Sequence, residues 1–186
     1  MEHPLIISCG IFKAELEYLL KKKGRSTSVR FLDPALHVNF DRLKECLVQA
    51  LEESRRCSEP VTVLYGNCHP EMQKIIDHYG ATKIDARNCI EAIVGRDELR
   101  RIDAEAKSFY LTTGWINNWR EIFAAGVAEL DLDFSSMFKD YKRVIVFDSG
   151  VIPIDEDMVA AFSRFTGLPV ERRAISLDRL SRLLDP

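Results

Sequence analysis

Three short runs of this chain, "PLIIS", "VTVLY" and "RVIVF", are apolar at nearly every position. A strand with one wet face alternates apolar and polar residues, because successive side chains point to opposite faces. A strand without that alternation is covered on both faces, and helices provide the cover in a parallel sheet. Each run is followed by an amphipathic segment. Strands are expected at 5–8, 29–32, 61–65, 83–84, 109–111, 144–147 and 170–174. Helices are expected at 12–23, 41–53, 71–79, 89–94, 97–107, 115–125, 156–166 and 177–184. The 12–23 segment ends in Lys21-Lys22-Lys23-Gly24, and basic residues before a glycine suit a helix C-terminus. The fold expected is α/β, a single doubly wound, mostly parallel, Rossmann-like sheet flanked by helices, with residues 1–186 as one domain. At 186 residues the chain is long enough to bury roughly 70% of its unfolded surface. The least regular stretch is 126–141, read as a lid or a loop with a short helix.

Composition narrows the partners. A net charge of −3 argues against nucleic acid or an anionic membrane. No apolar run approaches the roughly 20 residues that span a bilayer. The N-terminus lacks the basic and apolar regions of a secretory signal, so a cytoplasmic location is expected. Five cysteines, Cys9, Cys46, Cys57, Cys68 and Cys89, then point to free thiols or ligands rather than a disulfide framework.

In an open parallel sheet, ligands sit beyond the carboxyl ends of the strands. The residues there are Cys9-Gly10, Asp33-Pro34 with His37, Gly66-Asn67-Cys68-His69, Asn88-Cys89, Gly114-Trp115 and Asp148. Three of the five cysteines therefore fall at one edge. Cys46 lies on the apolar stripe of a helix and reads as core, and Cys57 sits in a polar loop. A βα turn requires Gly, Asn and Pro, but not a Cys68-His69 pair. A thiol near a helix N-terminus is expected to ionise easily. Three neighbouring thiolates would repel one another unless a cation neutralised them. Cys9, Cys68 and Cys89, with His69, are thus candidate metal ligands. They suit zinc or a [4Fe–4S] cluster with one open iron. His37 and Asp148 stand as further ligands or substrate-orienting groups, and Gly10, Gly66 and Trp115 as residues lining the site. A competing reading makes each cysteine an independent small core residue, since no C-x-x-C pair occurs. The glycines likewise suffice as tight turns, Asp148 as a cap, and Trp119 as core. No dinucleotide or nucleotide-triphosphate glycine motif is present.

The segments "SCGIF", "FLDPALHVNF", "YGNCHPEM", "ARNCIEAIVGRDEL" and "YLTTGWINNW" together resemble an uncharacterised domain family of unknown function, drawn largely from anaerobic archaea and bacteria. The likeness runs from Cys9 to about Asp148 and carries Cys9-Gly10, Leu36-His37, Gly66/Cys68, Cys89-Ile90 and Thr112/Gly114-Trp115. Asn88 stands where the family pattern has Asp, and His69 where it has Gly. The resemblance implies a shared thiolate site. It also implies an association with corrinoid methyl-transfer systems, and so one-carbon metabolism, with a corrinoid as a further cofactor and a corrinoid protein or small molecule as partner. Three functions are carried forward: a metal- or cluster-dependent enzyme or accessory enzyme, a non-catalytic metal, cluster or corrinoid carrier, and a metal-free thiol-redox enzyme in which Cys68 attacks. The edge strand at 170–174 and the terminal helix also offer surfaces for a homodimer.

Overall fold

The computed structural model describes residues 5–24, 27–55, 60–130 and 134–185, with backbone alone for 127–130 and 134–135. Cys57 lies outside the described residues. Strands and helices alternate as β1 (Leu5–Cys9), α1 (Lys13–Lys23), β2 (Ser28–Leu32), α2 (Phe40–Arg55), β3 (Val61–Leu64), α3 (Met72–Tyr79), β4 (Thr82–Lys83), α4 (Cys89–Val94) and α5 (Arg96–Glu105). The second half continues with β5 (Ser108–Thr112), α6 (Thr113–Leu130), α7 (Phe134–Met137), β6 (Arg143–Asp148), α8 (Glu156–Thr166), β7 (Val170–Ala174) and α9 (Asp178–Leu183). Two one-turn 3-10 segments, Gly10–Phe12 and Pro34–Val38, follow β1 and β2.

Every strand pairing is parallel, and helices cover the sheets, as the unbroken apolar runs require. Ile7, Val63 and Val144 to Val146 are fully buried. The strands fall into two sheets rather than the single sheet expected, one in the order β2-β1-β3-β4 and one in the order β5-β6-β7. Apolar periodicity reports that a strand is covered on both faces. It carries no information about which strand is its neighbour, so the division was not visible in it. The segment read as irregular begins inside α6, which runs unbroken to Leu130, and α7 supplies the short helix.

The order β2-β1-β3-β4 reverses direction at β1. The chain crosses from β1 to β2 on one side, then passes to β3 on the other, so the carboxyl ends of β1 and β3 flank a topological switch point. The second half closes over that edge: α6 packs against both 3-10 segments, and α9 lies on α4.

Glycines set how closely the strand-end turns approach. A Cβ on Gly10 would lie 2.9 Å from the Leu32 carbonyl oxygen and 3.0 Å from Pro34 Cδ. On Gly66 it would collide with the Arg87 carbonyl and Asn88 Cα, and on Gly114 it would lie 3.0 Å from the Ile11 carbonyl oxygen. The Asn67 N–H donates to the same Arg87 carbonyl at 2.7 Å. The space a side chain would need at Gly10 and Gly66 is thus filled by the next turn, which accounts for both glycines through packing. Gly66 has no positive φ, so its replacement tests crowding alone. Gly66→Ala should destabilise the protein by at least about 2 kcal/mol in urea unfolding, since backbone cannot yield as a flexible side chain would.

Candidate functional site

Cys9 is the last residue of β1, and its register partner in β2 is Leu32. On the other side Ser8 is in register with Leu64. One step further along, Cys9 therefore stands beside Tyr65, and residues in register on adjacent strands share a face. Cys68 follows three residues later in the turn that Gly66 presses against the Cys89 turn. Cys89 opens α4, whose N-cap is Asn88: its side-chain oxygen accepts from the Glu91 N–H at 2.8 Å. A carboxylate at this position would accept the same bond.

Cys9 packs against core on both faces of the four-stranded sheet. Cys68 packs on the side of α2 and α3, and Cys89 on the side of α1 and α9. The thiols thus reach one edge from opposite sides, and each keeps part of its surface accessible. Their charges are mutually coupled: an ionised Cys89 or Cys68 would make Cys9 harder to ionise, and Cys68 acts likewise on Cys89. Burial, reinforced by that repulsion, pushes the Cys9 thiol up to about 12 and the Cys89 thiol to about 11. Burial raises Cys68 as well, although Lys83 works against it. This reverses the easy ionisation expected of thiols near helix starts. α4 has only six residues, and desolvation outweighs what so short a helix can offer.

Donors nevertheless surround the sulfurs. Backbone amides meet all three: Ile11 at Cys9, Gly66 at Cys68, and Ile90 at Cys89. Trp115 packs on the same core cluster as Cys89 and, as a side-chain donor, lowers the Cys89 pKa against the effect of burial, while burial and then Cys9 raise the Tyr65 phenol. Trp115 comes from α6 and so belongs to the second half of the chain. It carries the edge of the His37 ring, with centroids 4.8 Å apart.

His37 and His69 part ways. His37 Nδ1 lies 2.6 Å from the Pro34 carbonyl oxygen. A carbonyl only accepts, so Nδ1 carries the proton and Nε2 keeps its lone pair. Burial lowers the His37 pKa, the carbonyl offsetting part of that, and the neutral ring is favoured. This is the tautomer a ligating or proton-accepting histidine uses. His69 is 7% exposed, and its Nδ1 accepts from the Glu71 N–H at 2.9 Å at the start of α3. Its neutral ring therefore carries the proton on Nε2, and its face meets Phe40. Its Nδ1 is thus engaged by backbone in the turn just before α3, whose N-cap is Glu71. Asp148 accepts from the Gly150 N–H at 2.8 Å and closes its own turn in the three-stranded sheet, the capping alternative. Cys46 packs from α2 against the core, and Trp119 is buried among Phe123, Phe162 and Phe165, both as core.

Behind Cys89, the fully buried Glu91 side chain accepts from Arg87 and Arg96, while Arg179 donates to its carbonyl oxygen at 3.0 Å. Burial would raise this carboxyl, but the two guanidinium groups prevail and hold it below its ordinary value. The clamp fixes the start of α4. Tyr65, Lys83 and Glu91 are the residues at the site that motif reading passed over. Tyr65 had one available signal: it ends an apolar strand immediately before the Gly66 turn.

The family model for a protein of unknown function, DUF1638, matches residues 31–184. The chain belongs to the DUF1638 family. The match takes in Cys68, Cys89, His37 and Trp115, starts after Cys9, and continues past Asp148 through α9. No curated protein and no solved structure matches the chain.

Among the described residues, no group of three or more His, Cys, Asp or Glu side chains is placed to hold a metal ion. Without a cation, the thiols should be sluggish nucleophiles at neutral pH. Alkylation of the metal-free protein, followed by mass spectrometry, should show Cys89 reacting about tenfold faster per pH unit until the pH nears 11. A plateau near pH 8 would show that burial does not govern the site.

Proposed function

We propose that this DUF1638 protein binds a [4Fe–4S] cluster through Cys9, Cys68 and Cys89. The observation that carries this reading is the arrival of three coupled thiols at one sheet edge beside a switch point, with Cys9 at the end of β1, Cys68 in the turn beyond β3 and Cys89 beyond β4. Neutral thiols have little use for the backbone amides and the Trp115 side chain that favour ionisation at these sulfurs, whereas thiolates accept from such donors strongly.

Three thiolates with one open position suit either zinc or a four-iron cluster; the cluster is the reading proposed. A cluster held by three cysteines supplies one open iron for a small ligand and can pass single electrons. The chain's own part is to hold three sulfurs on tightly packed turns, direct donors at them, and present the free Nε2 of His37 beside Trp115. On the family resemblance we place this chemistry in corrinoid-linked one-carbon metabolism, as an enzyme or accessory enzyme, with a corrinoid protein or small molecule as partner. The raised thiols weigh against the metal-free redox alternative, which needs a ready thiolate at Cys68.

Anaerobic reconstitution with ferrous iron and sulfide tests the reading. Wild type and Cys46→Ala should turn brown and retain about four irons per chain, while Cys9→Ala, Cys68→Ala and Cys89→Ala should each lose most of the metal. A colourless wild type with stoichiometric zinc, or one that instead forms a reversible disulfide from Cys68, would overturn it.

A further inference from the structure

β7 is an outer strand of the three-stranded sheet, and among the described residues it pairs with β6 alone. An outer strand presents a row of unused backbone donors and acceptors, a template for another strand. The register shows which residues present them. The Val144 N–H donates to the Pro169 carbonyl and the Ile175 N–H to the Asp148 carbonyl, both at 2.9 Å. In a parallel pair alternate residues turn towards the partner strand, so the odd-numbered positions from 169 to 175 face β6. Val170, Arg172 and Ala174 therefore turn their N–H and carbonyl groups outward, and Arg172 and Ala174 are exposed. Side chains alternate between the two faces as well. Glu171 and Arg173 share the face of α5, where Arg173 meets Glu105 at 2.7 Å and Glu171 meets Arg143 at 3.0 Å. Arg172 lies on the other face, paired with Glu156 of α8.

Charges on an edge strand commonly deter pairing. Here their order is self-complementary. Let a second copy of β7 run antiparallel about a two-fold axis at Arg172. Val170 then stands opposite Ala174, and Arg172 opposite its own counterpart. These are the outward-facing positions, so each opposed pair can exchange backbone hydrogen bonds. Glu171 stands opposite Arg173, twice over by symmetry. Those pairs fall at the sites where Cα atoms approach to about 4.5 Å and opposite charges attract across the strands. The like charges at the axis are each already met by Glu156 of the same chain. β2, an outer strand of the other sheet, carries Arg30 as its one charge and offers no such match. We infer that β7 is a homodimerisation edge, on which a second copy of this chain adds its own β7 to make a continuous six-stranded sheet. The interface is isologous, the same strand on both sides, and it does not rest on the cluster reading.

Sedimentation equilibrium of the full chain between about 1 and about 100 µM should show a monomer–dimer equilibrium. Arg172→Pro tests the edge itself. The Arg172 N–H faces away from β6, so proline keeps every β6–β7 bond while removing an outward donor. It should raise the dimer dissociation constant at least about tenfold with an unchanged circular dichroism spectrum. Arg172→Ala keeps the N–H and removes the apposed charges, so it should dimerise at least as well as wild type. Should Arg172→Pro fail to fold, Arg172→Cys answers the same question. The two counterparts at the axis would stand about 5.5 Å apart at Cα, within disulfide reach. Oxidation should then give a covalent dimer whose peptide map joins position 172 to position 172. A wild type that stays monomeric throughout, a folded Arg172→Pro that dimerises as wild type does, or an oxidised Arg172→Cys never joined at that position overturns the inference.

Discussion

Backbone packed directly on backbone at the strand ends is the constraint from which the rest of this structure follows. At Gly10, Gly66 and Gly114 the position of a side chain is taken by the neighbouring turn. These three contacts link the Cys9 turn to the His37 turn, the Cys68 turn to the Cys89 turn, and the Trp115 helix to the Cys9 turn. Such contacts are stiff, because neither partner has a rotamer with which to retreat. Residues far apart in sequence are thereby held at one edge, and a site that spans both halves of the chain needs no flexible loop to assemble it.

That stiffness has an electrostatic consequence. Thiols brought together in an apolar setting resist ionisation, because each charge would be poorly solvated and would repel the next. Cys9 and Cys89 stand well above the ordinary thiol range for that reason. The backbone amides of Ile11, Gly66 and Ile90 and the Trp115 side chain act the other way and favour the thiolates. On the cluster reading proposed above, iron takes the place of the protons and its binding releases them, so affinity should depend steeply on pH. The buried Glu91 shows the opposite balance a few ångströms of chain away: a carboxyl with two guanidinium partners stays ionised despite burial.

Cys68, Cys89, His37 and Trp115 all lie within residues 31–184, the segment that the family model matches. Cys9 precedes the matched segment and joins the others through strand pairing alone, as β1 lies between β2 and β3. This is the position at which a doubly wound sheet offers its ligands. The second half packs over this edge, with α6 on the 3-10 turns and α9 against α4.

Much of this was readable from the chain itself. The unbroken apolar runs determined parallel strands covered on both faces, and the residues directly after them determined which side chains would crowd the carboxyl edge. Local signals of this kind depend only on alternation and on turn chemistry within a few residues. Three matters were decided by tertiary structure. The strands divided into two sheets because pairing is a choice among distant partners that periodicity does not encode. His69 Nδ1 came to accept from the Glu71 N–H while His37 Nδ1 met the Pro34 carbonyl, because each ring's proton position is set by the backbone group it happens to meet. The thiols became hard to ionise, and Tyr65 came to stand beside Cys9, because burial and register exist only once the strands lie side by side.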